Sequence, residues 1–479
     1  MATIPASNAT GSVSIDNNQT YRGPFAIMTV LFFMWGFMTV FNDILIPRFK
    51  EAFTLDYYHA MFVQLAFFGA YFIGSLVYFI ISAIAGDPIA RIGYKNGVVV
   101  GLLIAATGSA LFWPAATQLS YPLFLAGLFV VGLGFAMLQI AANPYVTILG
   151  PERTASSRLN LAQAFNSVGT TIGPLIGGYL IFQYFAKTGA HGADSVKVPY
   201  LAFCVVFLVL SAVFFCIHLP HVGEGKIEPG VGALKYPHVQ LGALAIFMYV
   251  GGEVSIGSTI INFLGQPSVA GLTTVEASKY VSLFWGGMLI GRFMGAVELS
   301  EMKKLNKQMF LLGIPAFGFV LLLVSRSWNS ANHNLDLATG WNIVKDYLPL
   351  LALCWWLFQF GKALAGRTLL IFGATIVALL AVSMIEGGKL AMWCVVGIGL
   401  FTSIGWPNIF SLALDGMGVY KSQISSLLVM AILGGALLPP LQGWIADKHG
   451  LQISYIVPLV AYAYVAFYGW KGHRIGRKI

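Results

Sequence analysis

A few polar side chains stand inside long apolar runs, where they are costly. Asp43 lies four residues before Pro47. A carboxylate within a membrane-depth helix ordinarily faces a cavity, and such groups serve as proton relays. The same residue also reads as a helix-end carboxylate beside Arg48. Gln139 and Asn143 are four apart and share one helix face. Each amide both donates and accepts, which suits a hydroxyl-rich ligand, although amides also join helices to one another. Asn160, Gln163 and Asn166 are spaced by three and form one polar stripe. Neutral amides give paired donors and acceptors without a charge to neutralise, which fits a neutral polyhydroxylated ligand. Asn160 lies nearer one end and reads as a cap or gate residue, and Gln64 is a further candidate. Glu253 falls at mid-depth of its run, about 15 residues in at ~1.5 Å per residue. It is either a second proton or cation site, or half of an ion pair with Arg292 on the next run. Asn262 follows two and a half turns later. Trp285, Trp406 and Phe284 are candidates to stack on an apolar ligand face, or to pack.

The remaining sequence says what must position these groups. The chain has 479 residues, 58% hydrophobic and only 9% charged. A soluble domain carries about a quarter charged residues, so soluble, disordered and fibrous classes are excluded. The apolar runs are too long and unbroken for a transmembrane barrel. An all-α polytopic membrane protein is left. The net charge of +9 is scattered through short loops, which argues for topology and against nucleic-acid binding. Cys204, Cys216, Cys354 and Cys394 lie in apolar runs without metal spacing and read as small buried hydrophobes. No histidine cluster, nucleophile elbow, phosphate loop or metal set appears. The chain is therefore not expected to be an enzyme or to hold a cofactor or metal. Without a nucleotide site, any transport it performs is secondary.

Candidate spans run at roughly 24–47, 60–84, 97–117, 121–149, 160–185 and 199–219. A polar stretch follows, then spans at 238–264, 277–298, 308–325, 347–364, 367–384, 388–413, 422–445 and 452–470. This predicts about 14 spans. The polar start lacks a cleavable signal pattern. With both termini in the cytoplasm, inside loops and tails hold nearly twice as many Lys and Arg as outside loops, as topology demands. The segments Phe67-Phe68-Gly69-Ala70-Tyr71 and Phe284-Trp285-Gly286-Gly287-Met288 resemble each other, and Pro144 pairs with Pro407 at a larger offset. The growth in offset leaves room for two extra helices. The expected organisation is a tail over 1–22, a six-helix bundle over 23–220 and a cytoplasmic linker over 221–237. A second bundle covers 238–470, with a helix pair inserted at about 308–364, and a tail covers 471–479. Two parallel bundles place a site between them near the midplane.

Several motifs are specific. Phe41-Asn42-Asp43-Ile44-Leu45-Ile46-Pro47-Arg48-Phe49 resembles the first-helix motif of the fucose permease and glucose/galactose permease family of the major facilitator superfamily. Ala141-Ala142-Asn143-Pro144-Tyr145-Val146-Thr147, with Ile148 to Glu152, is similar to the same family. So are Arg158-Leu159-Asn160-Leu161-Ala162-Gln163-Ala164-Phe165-Asn166 and Pro407-Asn408-Ile409-Phe410. The likeness covers nearly the whole chain except 308–364. It implies the major facilitator fold, proton coupling through Asp43, and sugar contacts from Gln163 and Asn166. Asn42, Gln64, Gln139, Asn143, Asn262, Trp285 and Asn408 complete the expected substrate set, and Glu253 is the second expected coupling residue. Where the fucose permeases carry a glutamate, this chain has Gln139, which places it nearer the glucose/galactose branch. Gly86-Asp87-Pro88-Ile89-Ala90-Arg91-Ile92-Gly93-Tyr94-Lys95 partly matches the superfamily's loop after the second helix. Ala90 replaces the usual aspartate, so Asp87, Arg91 and Lys95 are the gating candidates.

The resemblance implies a secondary active transporter importing a neutral hexose, glucose or galactose, with protons. Sodium coupling and fucose are the rival assignments within transport. A non-transporting sugar sensor is a rival of another class, but it calls for a soluble signalling domain that these tails are too short to supply. The expected partners are a small sugar, a proton or sodium ion and the lipid bilayer. The expected setting is a bacterial-type inner membrane, with the chain a monomer and both termini cytoplasmic.

Overall fold

The computed structural model describes residues 21–40, 49, 53–54, 62–179, 192–217, 230–329 and 334–477. Asn42 and Asp43 lie outside these residues, and of Gln64 only the backbone is described. Among the described residues the regular structure is all helical apart from a two-residue antiparallel ladder, Trp328 with Leu335 and Asn329 with Asn334. In a bilayer the backbone must satisfy itself, and helices do so within one segment.

The long helices in chain order are α1 (Arg22–Thr39), α2 (Phe62–Ala85), α3 (Tyr94–Ala110), α4 (Tyr121–Ile148), α5 (Ala155–Tyr179) and α6 (Lys197–Cys216). They continue with α7 (Pro237–Gly265), α8 (Thr274–Glu298), α9 (Lys304–Ser327), α10 (Leu348–Gly361) and α11 (Ala365–Ile385). Last come α12 (Gly388–Thr402, resumed as Gly405–Leu414), α13 (Lys421–Met430, resumed as Gly434–His449) and α14 (Ile456–Trp470). Among the described residues, 13 helical segments are long and apolar enough to cross a membrane. The exception is α5. It has 25 residues, ample for a span, but Arg158 and its amide stripe dilute its apolar character.

Local chemistry sets the breaks. Asp87 caps the short helix Pro88–Ile92 by accepting from Ile89 N, and Gly93 takes a left-handed φ of 83° to end it. That turn separates α2 from α3 at a backbone angle only glycine adopts readily. Thr273 and Glu276 form a reciprocal capping box at the start of α8. Between α9 and α10 the sequence predicts only a polar loop. The structure folds Leu337–Val344 there as a helix, because the Asp336 side chain caps it through Thr339 N. A cap one turn ahead of Trp341 and Val344 outweighs the polar character of the segment.

The packing repeats. In the first half α1 lies on α5, α2 on α4, and α3 on α4 and α6. In the second half α7 lies on α13, α8 on α12, and α11 on α12 and α14. Small residues permit the close approaches, as membrane helices require. A Cβ on Gly134 would stand 2.6 Å from Ala105 N, and one on Gly469 would stand 2.6 Å from Leu370 N. The halves meet where α5 faces α8 and α12, and where α13 faces α2 and α4. Helices α9 and α10 have no counterpart in the first half. Only 17% of the Lys304–Ser327 span is buried inside the protein, against 89% of Gly388–Leu414. All four cysteines are free, and Cys216 is exposed rather than buried, because it sits on the outer face of α6.

Candidate functional site

A cavity of about 190 Å³ lies between the halves. Its walls come from α1 (Trp35, Thr39), α2 (Phe67, Phe68, Tyr71), α4 (Gln139) and α5 (Gln163, Asn166). The second half adds Tyr249, Val250 and Glu253 from α7, Arg292 from α8, Trp406 from α12 and Ile432 from the break in α13. No residue of α9 or α10 lines it.

The amides sit where the stripe on α5 and the pair on α4 face each other. Asn143 Nδ2 donates to Gln139 Oε1 and to Gln139 O, both at 3.2 Å. This clamp orients the Gln139 amide toward the cavity while Asn143 stays fully buried behind it. Asn166 Nδ2 donates to Phe32 O at 3.0 Å, which ties α5 to α1. Trp35 Nε1 donates to Tyr71 OH at 3.2 Å, so two aromatic walls are locked together by a polar bond.

Arg292 joins the halves at the cavity wall. Its guanidinium donates to Gln163 O at 3.3 Å and to Ser167 Oγ, and its Nε to Ser403 O at 3.4 Å. Glu253 and Arg292 both line the cavity, and no ion pair within 4 Å joins them among the described residues. Tyr249 stands one turn before Glu253 on α7 and lines the same cavity. The site therefore holds one carboxylate, one guanidinium, three amides and four aromatic rings of Trp and Tyr. That set can hydrogen-bond hydroxyls and cover an apolar ring face.

Other expected residues fall elsewhere. Asn408 is fully buried and accepts from Asn160 Nδ2 at 2.8 Å; it bonds across the halves and does not line the cavity. Asn262 is exposed. Trp285 is 44% exposed and packs edge-on against Phe284. Neither contributes to the cavity wall. Trp35, Tyr71 and Tyr249 line the cavity but went unremarked as ligand contacts in the sequence. Tyr71 belonged to the repeated segment Phe67 to Gly74, and that repetition was the available signal.

A seal closes one end. Ser422 Oγ and Tyr78 OH both donate to Asp87, which thereby joins α2 and α13 across the halves. Gln423 Nε2 reaches Ser82 Oγ at 3.2 Å, and Ser156 meets Ser411 at 2.6 Å. Glu152 accepts from Gly416 N at 2.9 Å, and Arg153 pairs with Glu301. Among the described residues, the hydrogen bonds between halves lie at this end or at the cavity itself. Arg91 and Lys95 do not form ion pairs in the seal. Arg91 donates to Ala85 O, and Lys95 Nζ to Phe215 O at 2.7 Å and Ile217 O at 2.9 Å. They satisfy the orphan carbonyls at the ends of α2 and α6, where cations are favoured. Arg158 acts similarly at the α4–α5 turn, donating to Val146 O, Gly150 O and Pro151 O.

Comparison with known proteins agrees with this architecture. Residues 25–359 match the family model described as Major Facilitator Superfamily. The glucose/galactose transporter of Brucella abortus is 41% identical over 482 aligned positions, covering 99% of this chain and all of that protein. The L-fucose-proton symporter of Escherichia coli is 29% identical, covering 94% of this chain and 92% of the symporter. Among solved structures, FucP, a Major Facilitator Superfamily transporter in the outward conformation, superimposes with a TM-score of 0.73 at 27% identity. That match covers 95% of this chain and 99% of FucP.

Proposed function

The chain belongs to the fucose permease and glucose/galactose permease family of the major facilitator superfamily, and on that premise we propose that it imports glucose or galactose in symport with protons. The observation that carries this reading is the wall of the central cavity. Gln139, Gln163 and Asn166 offer neutral donors and acceptors from one half, while Trp35 and Trp406 offer ring faces from both. Such a site fits a neutral hexose better than an ion, an acid or a lipid. The 41% identity to a glucose/galactose transporter supports the same substrate class.

Asp43 carries the coupling proton, and Glu253, beside Tyr249 and opposite Arg292, is the second titratable group of the pathway. Protonation and sugar binding together favour the state in which the halves rock apart at the sealed end. Each ligand shifts that equilibrium only by its differential affinity for the two states. The bias of Lys and Arg toward the sealed side supports a cytoplasmic position for that side and for both termini. The protein then sits in a bacterial inner membrane and works as a monomer, with α9 and α10 as a peripheral inserted pair.

Binding tests the reading without a membrane. Two tryptophans wall the cavity, so adding glucose or galactose to the purified protein should quench tryptophan emission saturably. Trp406→Phe should remove much of that signal. Saturable quenching by fucose alone, or by no sugar, contradicts the assignment.

A further inference from the structure

Outside the sugar site, a groove of about 1030 Å³ lies on the protein's flank. Its walls belong to α5 (Val168, Ile172), α8 (Leu289, Phe293) and α9 (Phe310, Phe317), with only Thr171 and Asn306 as polar lining. Helix α9 rests on α8 where Ile290 packs on Gly318 and Leu322 on Gly286. The approach is close there, and the groove opens toward α5. A Cβ on Gly313 would meet nothing within 4 Å, so the groove floor at that level is empty space.

We infer that this groove holds an acyl chain of an anionic phospholipid whose phosphate sits on Lys303 and Lys304. Length supports a chain. The α9 lining runs from Asn306 to Leu321, which is ~22 Å at 1.5 Å per residue. One leaflet of a bilayer core is only about 15 Å deep, so a chain anchored at the Asn306 end keeps its full depth inside the groove. Charge supports the headgroup. Lys303 and Lys304 are exposed at that end, and their side-chain ammonium groups have no hydrogen-bond or ion-pair partner among the described residues. The neighbouring carboxylates are engaged: Glu301 pairs with Arg153, and Glu298 accepts from Ala363 N at 2.9 Å. Lys307 is held by Glu298 O at 2.7 Å, leaving the two terminal lysines to meet a phosphate. Basic residues at a membrane surface favour anionic lipid in this way. Because α5 belongs to the first half and α8 to the second, the lipid spans the seam between them.

The test uses the full chain purified in mild detergent and observed by native mass spectrometry. It is titrated with phosphatidylglycerol or with phosphatidylcholine of the same acyl chains. One phosphatidylglycerol should be retained with at least ~5-fold greater occupancy than phosphatidylcholine, as expected of a charge-selective site. Gly313→Trp fills the groove and should lower that retention at least ~5-fold, whereas Gly313→Ala should keep it. The double variant Lys303→Gln/Lys304→Gln should abolish the preference for phosphatidylglycerol. These lysines are exposed, so that variant decides the matter if Gly313→Trp fails to fold. Three results overturn the proposal: equal retention of the two lipids, phosphatidylglycerol retention unchanged in the lysine variant, or a dimer whose formation excludes lipid. The last would assign the groove to a second copy of the chain.

Discussion

At the residue scale, the account rests on which polar groups titrate and which cannot. Asp43 is the titratable group proposed for the first half, and Gln139 is an amide that faces the cavity. Replacing Asp43 by Asn should abolish gradient-driven accumulation while sugar binding and exchange persist. Loss of binding with intact accumulation would show the opposite assignment. Gln139→Glu places a carboxyl in the cavity wall, about one side chain from the Asn143 clamp, and should make uptake more pH-dependent than in the native protein. A well-expressed variant with an unchanged pH profile would remove Gln139 from the ligand path. The amides were legible in the sequence because an amide inside an apolar run stands out by type. Trp35 and Tyr71 were not, since aromatic residues are common in such runs and only their mutual bond at 3.2 Å sets these two apart. Asn408 shows the converse limit. Its type suggested a ligand contact, but a buried amide is satisfied equally well by Asn160 across the seam.

At the scale of elements, the seal is built from many weak bonds instead of one strong pair. Each is worth about 1 kcal/mol net, and leaving a buried partner orphaned costs ~1–3 kcal/mol. Asn408→Ala leaves one of the two Asn160 Nδ2 hydrogens without its partner, the other staying on Ser156 O at 2.8 Å, and should shift the balance away from the state sealed at this end by roughly 5- to 100-fold. The check is the labelling rate of Ser156→Cys, in a background lacking the four native cysteines, from the cytoplasmic side. Faster labelling in the Asn408→Ala variant is expected; an unchanged rate would deny that the Asn160–Asn408 bond holds the seal. The loop after α2 explains why its chemistry was misleading as sequence. Arg91 and Lys95 looked like partners for Asp87, but the nearest unmet need is the carbonyls at two helix ends. Asp87 instead serves as a cap and a bridge to Ser422. The span pattern and the extra helix pair were readable from hydropathy and from the changing repeat offset. The helix Leu337–Val344 was not, because its stability comes from a cap and from packing on α9, which eight residues of mixed composition do not announce.

At the scale of the whole molecule, two bundles with the same internal pairing enclose a cavity that neither could form alone. The cavity takes its amides from the first half and its carboxylate and guanidinium from the second. Arg292 reaches across to Gln163 O and Ser167, so the site and the relative placement of the halves are one structure. Arg292→Leu should therefore weaken sugar binding and also change the distribution of conformations. An Arg292→Leu protein with native sugar affinity and native cysteine accessibility at the seal would separate the two. Helices α9 and α10 stand outside this enclosure, and their loss should affect stability more than sugar selectivity. The most direct test of the central claim is uptake of labelled glucose, galactose and fucose into proteoliposomes under an imposed proton gradient or an imposed sodium gradient. Glucose or galactose should accumulate against its gradient when the outside is acidic and should only equilibrate when the proton gradient is collapsed. Accumulation driven by sodium alone, or of fucose in preference to both hexoses, would contradict it.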